Sequence, residues 1–178
     1  MTTTIERLTE DRAVPVMPSL VELLQDAVHD GASIGFRSPL SSEMAADYWR
    51  GVTREVGAGS RILLVARDGE RIVGSVQLGL CTRQNGLHRA EVQKLFVHTR
   101  WRGHGIGKTL MAAIEQEARG ANRSLLYLDT EPGKPAEKMY ERLGWIRVGE
   151  IPGFASSPDG CLHGTAFFYR QLGSPSPR

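Results

Sequence analysis

The sequence predicts a single α/β domain with a mixed central sheet and helices on both faces, and three observations lead there. Apolar residues switch between strand and helix spacing in the order βααβββαβαββ. Two apolar runs flank Asp68-Gly69, the strongest short hairpin signal in the chain. A strand near 90–98 then runs through a glycine-rich turn straight into an amphipathic helix.

Taken in order, residues 3–8 form a short first strand, and Pro15 opens a helix. Its apolar positions Leu20, Leu23, Leu24, Ala27 and Val28 keep helical spacing until Gly31 ends it. Ser41 or Ser42 caps a second helix to about residue 57, with Met44, Ala45, Tyr48, Trp49 and Val52 on one side. Arg61 to Arg67 and Ile72 to Leu80 are the arms of the hairpin, and a polar loop over 83–88 leads to the strand at 90–98. The next helix places Ile106, Leu110, Ile114 and Ala118 at four-residue steps. Ser124 to Asp129 is a buried strand, Pro135 to Leu143 a short helix stopped by Gly144, and 145–151 and 165–171 are two closing strands.

The domain is expected over residues 1–172, followed by a Ser- and Pro-rich tail at 173–178 that frays. With 178 residues the chain has enough length for a sizeable core. A net charge of +2 argues against nucleic acid or an anionic membrane as partner. No apolar run approaches the roughly 20 residues of a membrane span, and the polar, acidic stretch from Met1 to Asp11 is unlike a signal peptide. Two cysteines, Cys81 and Cys161, are too few for a disulfide framework and suit a cytoplasmic location. Cys161-Leu162-His163 has no second ligand pair beside it, so no metal is expected.

The most informative stretch is Val92-Gln-Lys-Leu-Phe-Val97, then His98-Thr-Arg-Trp-Arg102, then Gly103-His-Gly-Ile-Gly-Lys-Thr-Leu110. Glycines let backbone N–H groups approach a ligand, and the first helical turn leaves its donors unpaired at a partial positive charge. The turn is therefore a prepared phosphate site, with Arg100, Arg102 and Lys108 adding full charges. A dinucleotide turn needs its third glycine where Lys108 stands and belongs after the first strand of a βαβ unit, and no P-loop frame is present.

Arg102-Gly-His-Gly-Ile-Gly107 resembles the Arg/Gln-x-x-Gly-x-Gly/Ala signature of the GNAT superfamily of acetyltransferases, and the element order matches that fold. The resemblance implies a mostly antiparallel sheet of about seven strands flanked by four helices. It also implies acetyl-CoA as cosubstrate, its pantetheine arm on Leu95, Phe96 and Val97. Its phosphates fall to Arg102, Gly103, His104, Gly105, Gly107 and Lys108. A second landmark is Ala136, Tyr140 and Gly144-Trp145, although Gly133 replaces the asparagine that often precedes it. Segments 28–36, 85–95, 128–131, 149–154 and 158–166 further resemble tabtoxin resistance acetyltransferases, which acetylate a small amino-acid-like β-lactam toxin. That resemblance implies acceptor contacts from His29, Ser33, Phe36, His88, Phe154, Asp159 and His163.

The chemistry makes its own demands. An aliphatic amine is mostly protonated at neutral pH and needs a base, directly or through one water, before it attacks a thioester. Glu91 and Asp129, on neighbouring strands, are the candidate bases, and Tyr140 is the candidate proton donor to the departing thiolate. A backbone N–H of the strand around Leu95 to Val97 is the expected oxyanion donor. Trp49, Trp101 and Trp145 are expected to pack rather than bind ligand. The expected partners are a small-molecule amine and a second copy in a homodimer. Other amine acceptors (an aminoglycoside, a polyamine or a protein N-terminus) remain alternatives, as does a non-catalytic acyl-CoA-binding module.

Overall fold

The computed structural model describes residues 3–157 and 160–173. Seven strands form one sheet in the order β1-β2-β3-β4-β5-β7-β6. They are β1 (Thr4–Arg7), β2 (Arg61–Asp68), β3 (Arg71–Leu80), β4 (Arg89–Val97), β5 (Leu125–Thr130), β6 (Ile146–Ser156) and β7 (Leu162–Gln171). Four helices, α1 (Glu10–His29), α2 (Ser42–Gly57), α3 (Ile106–Gly120) and α4 (Pro135–Arg142), complete the expected element order. Only β4 and β5 run parallel; the other neighbours are antiparallel. Asp159 and the expected fraying over 174–178 lie outside the described residues.

Each face of the sheet buries its own core. On one side Leu110, Met111 and Ile114 of α3 meet Val76, Leu78, Val92, Leu126, Leu128 and Phe168, with Tyr140 of α4 among them. On the other, Leu20, Leu23, Leu24 and Ala27 of α1 and Ala45 and Trp49 of α2 cover Leu63, Val65, Ile72 and Phe96. Trp49 satisfies its buried indole by donating Nε1–H to the Leu20 carbonyl at 2.7 Å.

Several boundaries depart from the expectation, each for a physical reason. α1 starts at Glu10, so Pro15 lies inside it instead of opening it. Pro15 and Pro18 each remove one backbone donor, and the fully buried stripe from Leu20 to Val28 holds the helix nonetheless. Ser41 is the cap of α2, its Oγ accepting from the Met44 N–H at 3.2 Å. Met44 itself points outward, because the packed stripe is Ala45, Trp49 and Val52. Asp68 pairs with Arg71, so the two loop residues of the hairpin are Gly69 and Glu70, with Gly69 at φ 59°. β6 and β7 extend well beyond the expected limits to Ser156 and back to Leu162, with an irregularity between Ile151 and Ala155 around Pro152. An edge strand such as β6 tolerates that proline, because its outer donors have no ladder to join.

Candidate active site

The site is built on β4. In register with β3, Ser75 faces Phe96 and Gln77 faces Gln93, so one β3 residue opposes two of β4. This bulge centres on Lys94, a non-glycine residue at φ 53°. It changes which side chains enter which core. Ala90 and Val92 pack under α3 before the bulge, and Leu95 and Val97 do so after it. Phe96 turns instead to the α1/α2 side, where its ring lies 6.4 Å from Trp49.

On its other flank β4 pairs with β5 only through Arg89 with Leu125, Ala90 with Leu126 and Glu91 with Tyr127. Beyond these pairs β4 continues to Val97, while β5 continues to Thr130 paired with β7 alone. The strands splay into a wedge, and the backbone of 92–97 presents an open edge to it. Leu95, Phe96 and Val97 line this edge; Phe96 does so through its backbone, its side chain being buried.

The wedge leads toward the glycine turn. Gly103 and Gly105 stand at φ 81° and 78°, and Gly105 is the N-cap of α3. Apart from the adjoining residues, no described protein atom lies within 4 Å of where a Cβ on either would sit, so the turn's backbone faces open space. No side chain caps α3. The first intrahelical bond there is made by the Thr109 N–H to the Gly105 carbonyl, leaving the N–H groups of Ile106, Gly107 and Lys108 unpaired. Gly107 sits where a Cβ would meet Met139 Sδ at 3.5 Å, ordinary contact with α4. Open glycine backbone, three free amides and an open strand edge fit the pyrophosphate and amide-bearing arm of acetyl-CoA.

Two side chains of the turn are already engaged. Arg102 donates Nε–H to the Val97 carbonyl at 3.0 Å and pairs with Asp30 at the end of α1. His104 directs Nδ1 to the Arg102 and Trp101 carbonyls at 2.9 and 3.3 Å, which makes that nitrogen the N–H. The backbone, Lys108 and the Nη2 group of Arg102 are therefore the turn's uncommitted donors among the described residues.

Glu91, Tyr127 and Asp129 share the α1/α2 face of the sheet, because Glu91 is in register with Tyr127 and Asp129 follows two residues on. Tyr127 donates its hydroxyl to Glu91 Oε2 at 3.3 Å, and Thr165 donates to Asp129 Oδ2 at 3.0 Å. Burial and the Glu91 charge both raise the Tyr127 phenol above its ordinary pKa. Beside Glu91, Arg61 donates to Gln77 and Gln93, each at 2.7 Å, and to Glu55 at 2.6 Å, while Gln77 donates to the Tyr48 hydroxyl at 2.9 Å. Burial pushes Tyr48 up to about 12.

Tyr140 comes from the opposite face. It is 6% exposed and lies 6.1 Å from both the Trp145 and Phe168 rings. Burial, and secondarily the Asp129 charge, hold its phenol far above the usual value. The hydroxyl makes no protein hydrogen bond among the described residues.

The expected acceptor residues divide into two groups. Phe36 packs edge-on against Tyr48 at 5.2 Å, and Phe154 edge-on against Phe167, the register partner of Asp129, at 5.7 Å. His163 lies on the same β6–β7 hairpin, its buried Nε2 without a hydrogen bond and 3.8 Å from Glu131. Ser33 is half-buried in the segment after α1, and His29 is exposed at that helix's end. His88 is different: its carbonyl accepts from Ser124 and Leu125, which places it at the paired end of β4 and β5, away from the wedge. Sequence reasoning overlooked Lys94, Tyr127, Thr165 and the Arg61 network. The two consecutive polar residues Gln93-Lys94 inside a strand were the available signal for the bulge. No three or more His, Cys, Asp or Glu among the described residues are grouped to hold a metal ion.

Comparison with known proteins shows the family to which the chain belongs. An uncharacterized N-acetyltransferase from the hisH–hisA intergenic region of Azospirillum brasilense is 36% identical over 112 residues, 62% of this chain and 65% of the relative. The chain thus spans just under two thirds of that relative. A phosphinothricin acetyltransferase of Sinorhizobium meliloti, solved with acetyl-CoA, superposes with a TM-score of 0.78 at 21% identity, over 99% of this chain and 91% of the other. A ribosomal-protein-alanine N-acetyltransferase of Brucella melitensis gives 0.76 at 24% identity, over 94% and 99%. At these identities the two structures speak for the fold. The acetyltransferase (GNAT) family model matches residues 22–145, from α1 to the start of β6, taking in the bulged strand, the glycine turn and Tyr140, and the chain belongs to that family.

Proposed function

We propose that this protein transfers the acetyl group of acetyl-CoA to the amine of a small amino-acid-like molecule. A toxin of the tabtoxin type is one such acceptor, because segments 28–36, 85–95, 128–131, 149–154 and 158–166 resemble the acetyltransferases that confer resistance to it. The observation that carries the reading is the wedge between β4 and β5. The open amides of α3 lie at one end, Glu91 and Asp129 on one face, and Tyr140 on the other.

The residues divide the work by face. The amides of Ile106 to Lys108 bind the pyrophosphate, and the open edge of 92–97 holds the arm and offers an N–H to the thioester oxygen. Glu91 or Asp129 takes a proton from the acceptor amine, whose nitrogen forms the new bond to the acetyl carbon as the carbon–sulfur bond breaks. A phenol whose pKa burial raises stays protonated at physiological pH. The same shift makes complete proton loss costly, so Tyr140 serves the departing sulfur as a hydrogen-bond donor.

Incubating the protein with acetyl-CoA and a panel of amines, with mass spectrometry of the products, tests the reading. Acceptors gaining one acetyl group, with matching thiol release, support it. Tight acetyl-CoA binding without transfer to any amine would make the protein a binding module instead.

A further inference from the structure

Lys94 has no assigned role in the reading above, yet its placement is unusual. The bulge sets it directly after Gln93 on the α1/α2 face, at a left-handed φ of 53° that a lysine rarely adopts. Strict alternation would have sent its ammonium under α3, among Leu110 and Ile114. Instead Nζ donates to the Ile34 carbonyl at 2.6 Å, in the segment between α1 and α2. The chain comes close enough there that a Cβ on Gly35 would meet Nζ at 3.4 Å. That hydrogen bond is the ammonium's only one to protein among the described residues, so two of its three donors are uncommitted.

The charges around it are mixed. Burial pulls the Lys94 pKa below its ordinary value, the carboxylates of Asp129 and Glu91 oppose that pull, and the Arg61 guanidinium adds to it. A half-buried cation therefore stands within electrostatic reach of the two carboxylates that face an acceptor amine. We propose that Lys94 is a specificity-determining residue, whose ammonium binds the carboxylate of an α-amino-acid acceptor while Glu91 and Asp129 hold its amine. The arrangement complements a zwitterion in which one carbon separates amine from carboxylate, and it disfavours an amine that lacks the anion.

This inference rests on the acetyltransferase reading, and its test separates the two. Acetylation rates are measured for methionine, phenylalanine and leucine against their decarboxylated amines, with wild type, Lys94→Met and Lys94→Arg. Wild type should prefer the amino acids. Lys94→Met should raise their KM on the order of 10- to 100-fold, the scale of one charge-assisted hydrogen bond, with kcat changing less. Its KM for the decarboxylated amines should stay level or fall, and Lys94→Arg should recover part of the loss. Equal losses on both acceptor series would make Lys94 a brace for the Ile34 segment and overturn the inference. So would a wild-type preference for the amines, which would leave the acetyltransferase reading intact. Transfer to neither series, with acetyl still passed to another amine of the panel, would overturn the inference alone, and transfer to no amine at all would remove both.

Discussion

Tyr140→Phe separates chemistry from packing more sharply than any other single substitution in this fold. The ring that lies against Trp145 and Phe168 is kept, and only an oxygen without a protein hydrogen bond is lost. Deleting a hydroxyl that no protein group bonds strands no other group, so stability should stay within about 1 kcal/mol of wild type. If the phenol hydrogen-bonds the departing sulfur, turnover should fall on the order of 10²-fold, or roughly 3 kcal/mol of barrier. Tyr140→Ala would additionally forfeit about 3–5 kcal/mol of core packing, so loss of activity there would prove nothing. The assay pairs thiol release at saturating acetyl-CoA with thermal melting of the same preparation. Turnover within about twofold of wild type, at an unchanged melting temperature, would make Tyr140 a core aromatic and refute its role.

Other expectations follow from the same geometry. Glu91→Gln and Asp129→Asn keep an acceptor for Tyr127 and Thr165, so each should lower amine turnover on the order of 10²-fold while acetyl-CoA binding, measured calorimetrically, holds. The deficit should shrink as pH rises and the amine loses its own proton; a pH-independent deficit would point to positioning. Arg102→Glu removes the pairing with Asp30 and reverses the charge at the glycine turn. It should weaken acetyl-CoA on the order of tenfold with little change in melting temperature, and unchanged affinity would exclude Arg102 from the phosphate site. Tyr48, with its pKa raised to about 12, and Tyr140, raised further, bind a proton in the folded state that the unfolded chain releases above about 10. Their contribution is fully present below pH 10 and is lost as pH rises toward the folded values. Alkaline stability should therefore drop by on the order of 1 kcal/mol per pH unit per tyrosine above pH 10, and ultraviolet titration should show Tyr48 and Tyr140 ionising only well above pH 10.

The order of elements was legible in the sequence because it depends on local signals: periodicity, Asp68-Gly69, the capping serine and the glycines of the turn. The places where reading failed depend on tertiary arrangement. Pro15 resembles a helix opener until the buried stripe beyond it is seen to hold a longer helix. Nothing local in His88 says that it sits at the paired end of two strands, because the splay of β4 from β5 begins only past Glu91. Lys94 reads as a solvated strand lysine unless its neighbour Gln93 is taken as the sign of a bulge. Arg102 and Asp30 are far apart in the chain, so their pairing has no local signature. The carboxylates and Tyr140 could be picked out by residue type and by resemblance. That they occupy opposite faces of the sheet emerged only from strand register.

The wedge also has a mechanical meaning. Among the described residues, a single short parallel seam ending at Glu91 and Tyr127 is all the sheet hydrogen bonding that joins the β1–β4 half to the β5–β7 half. Beyond it, the backbone groups of 92–97 that point away from β3 have no strand to answer them. A bound molecule with amide groups along its length would supply the missing rung and, for as long as it stayed, act as a piece of the sheet. Turnover is then also a cycle of splicing and unsplicing the protein's weakest join. Amide exchange along 92–97 should slow most when the donor is bound and quicken again once it has left.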